Sequence, residues 1–316
     1  MGERPLSSAP MLNFTEEDVL GTMPEPLCTH GINRLDQKIL FSIVNVPLSL
    51  SAVLGNALVM IALYEVTTLR PPYKLLLSCL ASTDLCVGLT TQPLFTVLLW
   101  TQEHSTPCFV LKLIAHIMAT IFGGVSLATL SAISIDRLVA LLLGVRYRQV
   151  VTLRKVQICV TSFWFLGVAI SILYFYHFLL PLVITAILML LFIVSSTFCY
   201  SKIYCTLSKV KSDIYPGEPK RISVRCPQFT GRYRKTVSST LCIQVSLVLC
   251  YLPYGTLVIV FAITGIQSPS LNFAWAVAVT LVFFNSTLNP FLYCWKNREV
   301  KQAVKEKISH MCFFTR

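Results

Sequence analysis

The chain has 316 residues, of which 55% are hydrophobic and only 13% charged. A soluble domain carries about 25% charged residues, so most of this chain does not face water, and a soluble enzyme or nucleic-acid-binding domain is excluded as the first reading. The formal net charge is +12, from 26 Lys and Arg against 14 Asp and Glu, yet no nucleic-acid motif accompanies it. No linker rich in Pro, Gly and Ser divides the sequence, which predicts one membrane domain with short tails.

Residues 1–38 are rich in Pro and acidic residues and read as a tail. They lack a long apolar stretch, so no cleavable signal peptide is expected and the first span acts as its own insertion signal. Asn13, Phe14 and Thr15 form a glycosylation sequon. Crossing a bilayer takes ~20 mostly apolar residues in a helix. Residues 39–63 contain no Asp, Glu, Lys or Arg, residues 75–100 contain only Asp84, and residues 113–135 contain none. Two longer uncharged runs follow, 156–201 and 236–294. Each is long enough for two spans. Arg154 and Lys155 precede the first run and Lys202 follows it; Arg234 and Lys235 precede the second, with Lys296 and Arg298 after it. Cations at span ends stay on the cytoplasmic side, so each run goes out and returns. The count is seven spans, at about 39–64, 74–100, 108–142, 156–177, 179–208, 234–264 and 270–294.

The four segments assigned to the inside hold 22 of the 26 Lys and Arg, whereas the first 40 residues hold three against six acidic residues. This places the N-terminus outside and the C-terminus inside a plasma membrane. The basic inner face suits anionic lipid and acidic partners. Pro216, Gly217, Pro219 and Pro227 predict an inner loop over 209–233 without a continuous helix. Residues 295–309 alternate charged and apolar positions at helical spacing and predict an amphipathic helix on the inner face. The domains expected are a tail (1–38), a seven-span bundle (39–294), and an inner helix and tail (295–316). The fold class is therefore an all-α membrane protein, a seven-transmembrane helix bundle with a C-terminal amphipathic helix. A transporter is the weaker alternative, because no half of the chain repeats in the other and no filter-like loop lies between spans. Zinc spacing, a phosphate loop and a nucleophile elbow are all lacking, so no enzyme activity is expected.

Charges within spans are costly and mark candidate functional positions. Here they are Asp84 in the second span and Asp136–Arg137 near the inner end of the third. Around them, Gly55-Asn56, Leu80-Ala81-x-x-Asp84-Leu85, Asp136-Arg137-Leu138, Trp164, Cys250-Tyr251-Leu252-Pro253 and Asn289-Pro290-Phe291-Leu292-Tyr293 occur in order. With seven spans and this orientation, the chain resembles the rhodopsin-like G-protein-coupled receptors over residues 39 to about 309.

That resemblance implies a receptor for an extracellular ligand that activates a heterotrimeric G protein. It implies a sodium site at Asp84 with Ser126, Asn285, Ser286 and Asn289, and no other cofactor. It also implies an inner switch at Asp136 and Arg137, with Tyr200 and Tyr293 as tyrosine partners and Val145 as the apolar loop residue that meets the G protein. By family position, the outer pocket is lined by Gln92, His116, Ala119, Thr120, Gly123, Tyr251, Tyr254, Trp275 and Val279.

Several positions depart from the family pattern. Tyr251 stands where Trp is usual, Leu138 where Tyr is usual, and Gly144 where Pro is usual. Tyr233 replaces the acidic residue that latches the helix-three Arg in many relatives, so the resting state is expected to be less stable. Ala119 occupies the place of the Asp counter-ion of amine receptors, which argues against a cationic amine ligand. Phe192 replaces the fifth-span Pro, and the loop near His177 to Pro181 is very short. Both features are shared with the melanocortin, cannabinoid and adenosine branch. Since that loop has no Cys, the usual bridge to the third span cannot form, and Cys28 and Cys108 are the two cysteines on the outer side. They are expected to pair with each other. Cys312 resembles a palmitoylation site. A receptor-like protein that signals without a ligand of its own, or modulates a partner receptor, is the alternative function.

Overall fold

The computed structural model describes residues 34–101, 106–214, 227–265, 268–296 and 298–314. These form α1 (Leu35–Glu65), α2 (Pro71–Trp100), α3 (106–143), α4 (Leu153–Ile172), α5 (Leu179–Ile214), α6 (Pro227–Thr264), α7 (Pro269–Lys296) and α8 (Arg298–Phe314). Seven of the eight are long and apolar enough to cross a membrane. Helices are the form that lets each backbone N–H and C=O pair within its own segment, which lipid demands. Large apolar side chains such as Leu54, Phe165 and Phe291 point outward from the bundle, as a lipid-facing surface requires.

Local sequence shapes these helices. Pro93 has no N–H to give the carbonyl one turn back, and the ladder of α2 widens into a π turn at Val87–Thr91 just before it. A second π turn, Ala119–Gly123, interrupts α3 ahead of Gly124. Gly144 ends α3 at φ 51°, a left-handed conformation that glycine adopts at low cost and Pro cannot. Gly144, which stands where Pro is usual, therefore makes this turn. Gly55 lets α1 approach α7, for a Cβ there would lie 3.0 Å from Pro290 Cγ.

The main core joins α1 through α6 and reaches Val300 of α8. Val300 and Ala303 are buried and Val304 packs against the cluster of Ala62 in α1 and Val66 just after it, while Lys307 pairs with Glu65. Lys301, Lys305 and Glu306 face away. That is the amphipathic division expected of α8.

The segment expected as loop over 209–233 is corrected at both ends, because α5 continues to Ile214 and α6 begins at Pro227. Pro is tolerated in the first turn of a helix, where its missing N–H has no partner to lose, so Pro227 starts α6 rather than breaking it. Asn13 and Cys28 lie outside the described residues. Tyr233, Tyr293 and Cys312 fall within helices, but their side chains lie outside the described ones.

Candidate functional site

Three sites stack along the bundle. At its centre, Asp84 is fully buried on α2. Its Oδ1 accepts hydrogen bonds from Ser126 Oγ of α3 and Ser286 Oγ of α7, both at 2.9 Å, and its Oδ2 accepts one from Asn289 Nδ2 at 2.6 Å. A buried carboxylate needs such partners, and α3 and α7 supply them. Asn285 is turned elsewhere: its Nδ2 donates to the Tyr251 hydroxyl at 3.3 Å. Asn56 Nδ2 braces the cluster by donating to the carbonyls of Ala52 and Ser286. A carboxylate with two serine hydroxyls on it offers oxygen atoms, the ligands that hard cations prefer. Among the described residues, no group of three or more His, Cys, Asp or Glu could hold a metal ion.

At the Gly144 end of the bundle lies the second site. Asp136 is buried, and its Oδ1 accepts a hydrogen bond from Tyr147 OH at 2.5 Å. Arg137 Nε lies 4.0 Å from Asp136 Oδ2, and its guanidinium sits 3.4 Å from the centre of the Tyr73 ring. Arg70 in turn lies 4.9 Å from the centre of the Tyr147 ring. The two arginines therefore rest on two buried tyrosines, a cation–π arrangement worth about 0.5–2 kcal/mol per pair. Tyr200 is buried beside Leu138 and Ile203. Val145 is 93% exposed on the turn after α3. Ser134 and Ser196 share a hydrogen bond, Ser196 donates to Gln244 Oε1, and Gln244 donates to Thr197, which ties α3, α5 and α6 together.

Tyr73 and Tyr147 were absent from the sequence reading. Tyr147 sits ten residues beyond Arg137 in a basic loop, and Tyr73 follows two prolines at the start of α2. Their aromatic character beside a buried charge pair was the available signal; their convergence depends on tertiary packing.

The third site is a cavity of about 160 Å³ at the opposite end, bounded by α2 through α7. His116, Ala119, Thr120, Gly123, Tyr251, Tyr254, Trp275 and Val279 all line it. Gln92 does not; it is fully buried, and neither of its amide atoms has a hydrogen-bond partner among the described residues. The π turn that precedes Gln92 changes the register of this part of α2, so Thr91 and Phe95 line the cavity in its place. Aromatic rings build the walls: Tyr254 lies 5.0 Å from Trp275 and Phe95 lies 5.7 Å from Phe283, centre to centre. Thr120 Oγ1 and Tyr174 OH share a hydrogen bond at 3.2 Å. His116 Nδ1 lies 2.8 Å from the Lys112 carbonyl, with its ring 4.9 Å from that of Phe178. Tyr251 belongs to two sites, since it lines the cavity and receives the Asn285 bond beside the Asp84 cluster.

Cys108 is buried at the start of α3. Its expected partner Cys28 lies outside the described residues.

Comparison with known proteins agrees with this arrangement. The chain is 26% identical to trace amine-associated receptor 9 of Homo sapiens over 297 residues, covering 81% of this chain and 82% of that one. It is 25% identical to trace amine-associated receptor 7e of Rattus norvegicus, covering 94% and 93%, and 23% identical to adenosine receptor A3 of Ovis aries, covering 82% and 86%. The family model for the 7 transmembrane receptor (rhodopsin family) matches residues 55–181 and 177–293. The chain thus belongs to the rhodopsin family of seven-transmembrane receptors and is a multi-pass membrane protein.

Proposed function

We propose that the chain is a plasma-membrane receptor, N-terminus outside, that binds an extracellular ligand in the cavity and activates a heterotrimeric G protein at the Arg137 end. The observation that carries this reading is the position of Tyr251. It forms part of the cavity wall and is also bonded to Asn285, next to the cluster that holds Asp84. Pro253, two residues on, removes a backbone hydrogen bond from α6 and supplies a hinge. A ligand that contacts Tyr251 differently in two states shifts the population between them. In the active state Arg137 leaves Tyr73 and Asp136 and turns toward the G protein, while Val145 on its exposed turn enters that interface. Tyr200 and Tyr293 then become partners of Arg137.

Sodium at Asp84 belongs to the same proposal. Asp84, Ser126, Ser286, Asn285 and Asn289 would hold it through oxygen atoms, and the ion would favour the resting packing of α2, α3 and α7. A ligand-free, constitutively active protein is the second reading. Its support is that Tyr233 supplies no acidic latch, which leaves Arg137 restrained by Tyr73 and by a 4.0 Å contact with Asp136. Ligand class is addressed by Ala119. Although two of the relatives are named for trace amines, none of the described residues lining this cavity is Asp or Glu, so a cationic amine would lack a counter-ion there.

The test of the function is nucleotide exchange on purified heterotrimeric G proteins by receptor in lipid nanodiscs, with Arg137→Ala as the control. Exchange by the wild-type chain above the Arg137→Ala level supports the reading. Equal rates with every G-protein class tested would remove it.

A further inference from the structure

We infer that the cavity takes a small, uncharged, mostly apolar molecule bearing hydrogen-bonding groups at two separated points, an inference that rests on the receptor reading in treating this cavity as the ligand's seat. Three observations on the cavity converge on that chemistry.

The first is charge. Among the described residues, none that lines the cavity is Asp, Glu, Lys or Arg. Asp84 is not among its lining residues. An ammonium or carboxylate entering here would give up its hydration without gaining a paired charge, which is strongly unfavourable.

The second is shape. A cavity of about 160 Å³ is close to the size that holds a single aromatic ring. Its walls carry ring edges and faces from Phe95, Tyr254, Trp275 and Phe283, surfaces that favour tilted or edge-on contact with another ring. Gly123 and Gly124 line it from α3, and a Cβ on either would meet nothing within 4 Å. A ligand can therefore lie against the α3 backbone at the π turn.

The third is hydrogen bonding. A hydroxyl within a helix usually donates to the carbonyl one turn back, and Thr90, Thr96, Thr129 and Thr197 all do so. Thr91 of α2 and Thr185 of α5 do not. Both line the cavity, and the hydroxyl oxygen of each is buried with no hydrogen-bond partner among the described residues. Buried hydroxyls are nearly always satisfied. These two reach the cavity from different helices, so a molecule with a polar group toward each completes both.

The probes are 4-(2-hydroxyethyl)phenol, its ammonium counterpart 4-(2-aminoethyl)phenol, and 4-ethylphenol, which lacks one hydroxyl. Binding is measured by calorimetry on the full chain in nanodiscs, with nucleotide exchange followed in parallel. The diol is expected to bind at least about tenfold tighter than the ammonium compound, the equivalent of one unpaired polar group. Thr91→Val and Thr185→Val are each expected to weaken the diol roughly two- to tenfold, the loss of one hydrogen bond. Gly123→Leu fills the space and is expected to abolish binding, and Ala119→Asp is expected to reverse the preference toward the ammonium compound. Should Gly123→Leu fail to fold, Ala119→Asp and the two valine variants decide the matter. Tighter binding of the ammonium compound to the wild type, or diol binding indifferent to all four substitutions, overturns the inference. If the ammonium compound also drives nucleotide exchange, the ligand class is wrong and the receptor reading stands. If the diol binds as expected and no G protein responds, the ligand class stands and the receptor reading falls.

Discussion

The Asp84 cluster and the cavity lie on either side of Tyr251 and satisfy their polar groups in opposite ways. At Asp84, two hydroxyls and an amide from two other helices converge on one carboxylate. In the cavity, Thr91 and Thr185 keep buried hydroxyls without partners among the described residues. A satisfied buried network holds helices in one arrangement, and losing a member leaves the others stranded. An unsatisfied group adjoining open volume contributes nothing to the fold until something binds it. On the proposed function, the first region would set the state of the bundle and the second would receive what changes it.

That contrast can be broken by substitution. The largest effect is expected from Asp84→Leu, which strands three donors in the core at about 1–3 kcal/mol for each one left unpaired. Thermal unfolding in detergent should fall by many degrees, and little change would mean that the cluster is not structural. A smaller effect is expected at the other end, where Tyr73→Ala releases Arg137 from an aromatic face worth about 0.5–2 kcal/mol. Ligand-free nucleotide exchange per folded receptor is expected to rise by roughly two- to thirtyfold. Tyr73→Phe keeps the ring and is expected to stay near wild type; equal exchange from both variants would assign the restraint elsewhere. Tyr251→Phe removes the acceptor of the Asn285 bond, and a loss of about 0.5–1.5 kcal/mol in unfolding free energy is expected. The smallest effect sharpens the comparison most. Thr91→Val removes a buried hydroxyl that has no partner and keeps its shape, so stability is expected to hold or rise slightly. A marked loss there would show that the hydroxyl supports the fold.

The sequence made the bundle legible because membrane burial imposes a simple rule: runs without charge, bounded by Lys and Arg, fixed the number of spans. Asp84 stood out as the lone charge in its span, and its oxygen-bearing neighbours lay at positions that a shared motif marks. Gln92 shows where such reading stops. One π turn, Val87–Thr91, moves the following residues around the helix, so family position pointed to Gln92 while Thr91 and Phe95 face the cavity. The α5–α6 connection was misjudged for a related reason, since Pro227 breaks a helix only in its interior and here stands at its start. Tyr73 and Tyr147 lie 64 and 10 residues from Arg137 in the chain. No local pattern ties them to it, and only the packing of α2 and of the turn after α3 brings the rings to the charges.

The claim at the centre is that the Asp84 cluster governs the balance between resting and active arrangements. The direct measurement is ligand-free nucleotide exchange on a heterotrimeric G protein as sodium replaces potassium at fixed ionic strength, for wild type and Asp84→Asn. Sodium is expected to lower wild-type exchange by about fivefold or more, the lower end of usual coupling between sites, and to leave Asp84→Asn unaffected. The same sodium response in both proteins would contradict the claim.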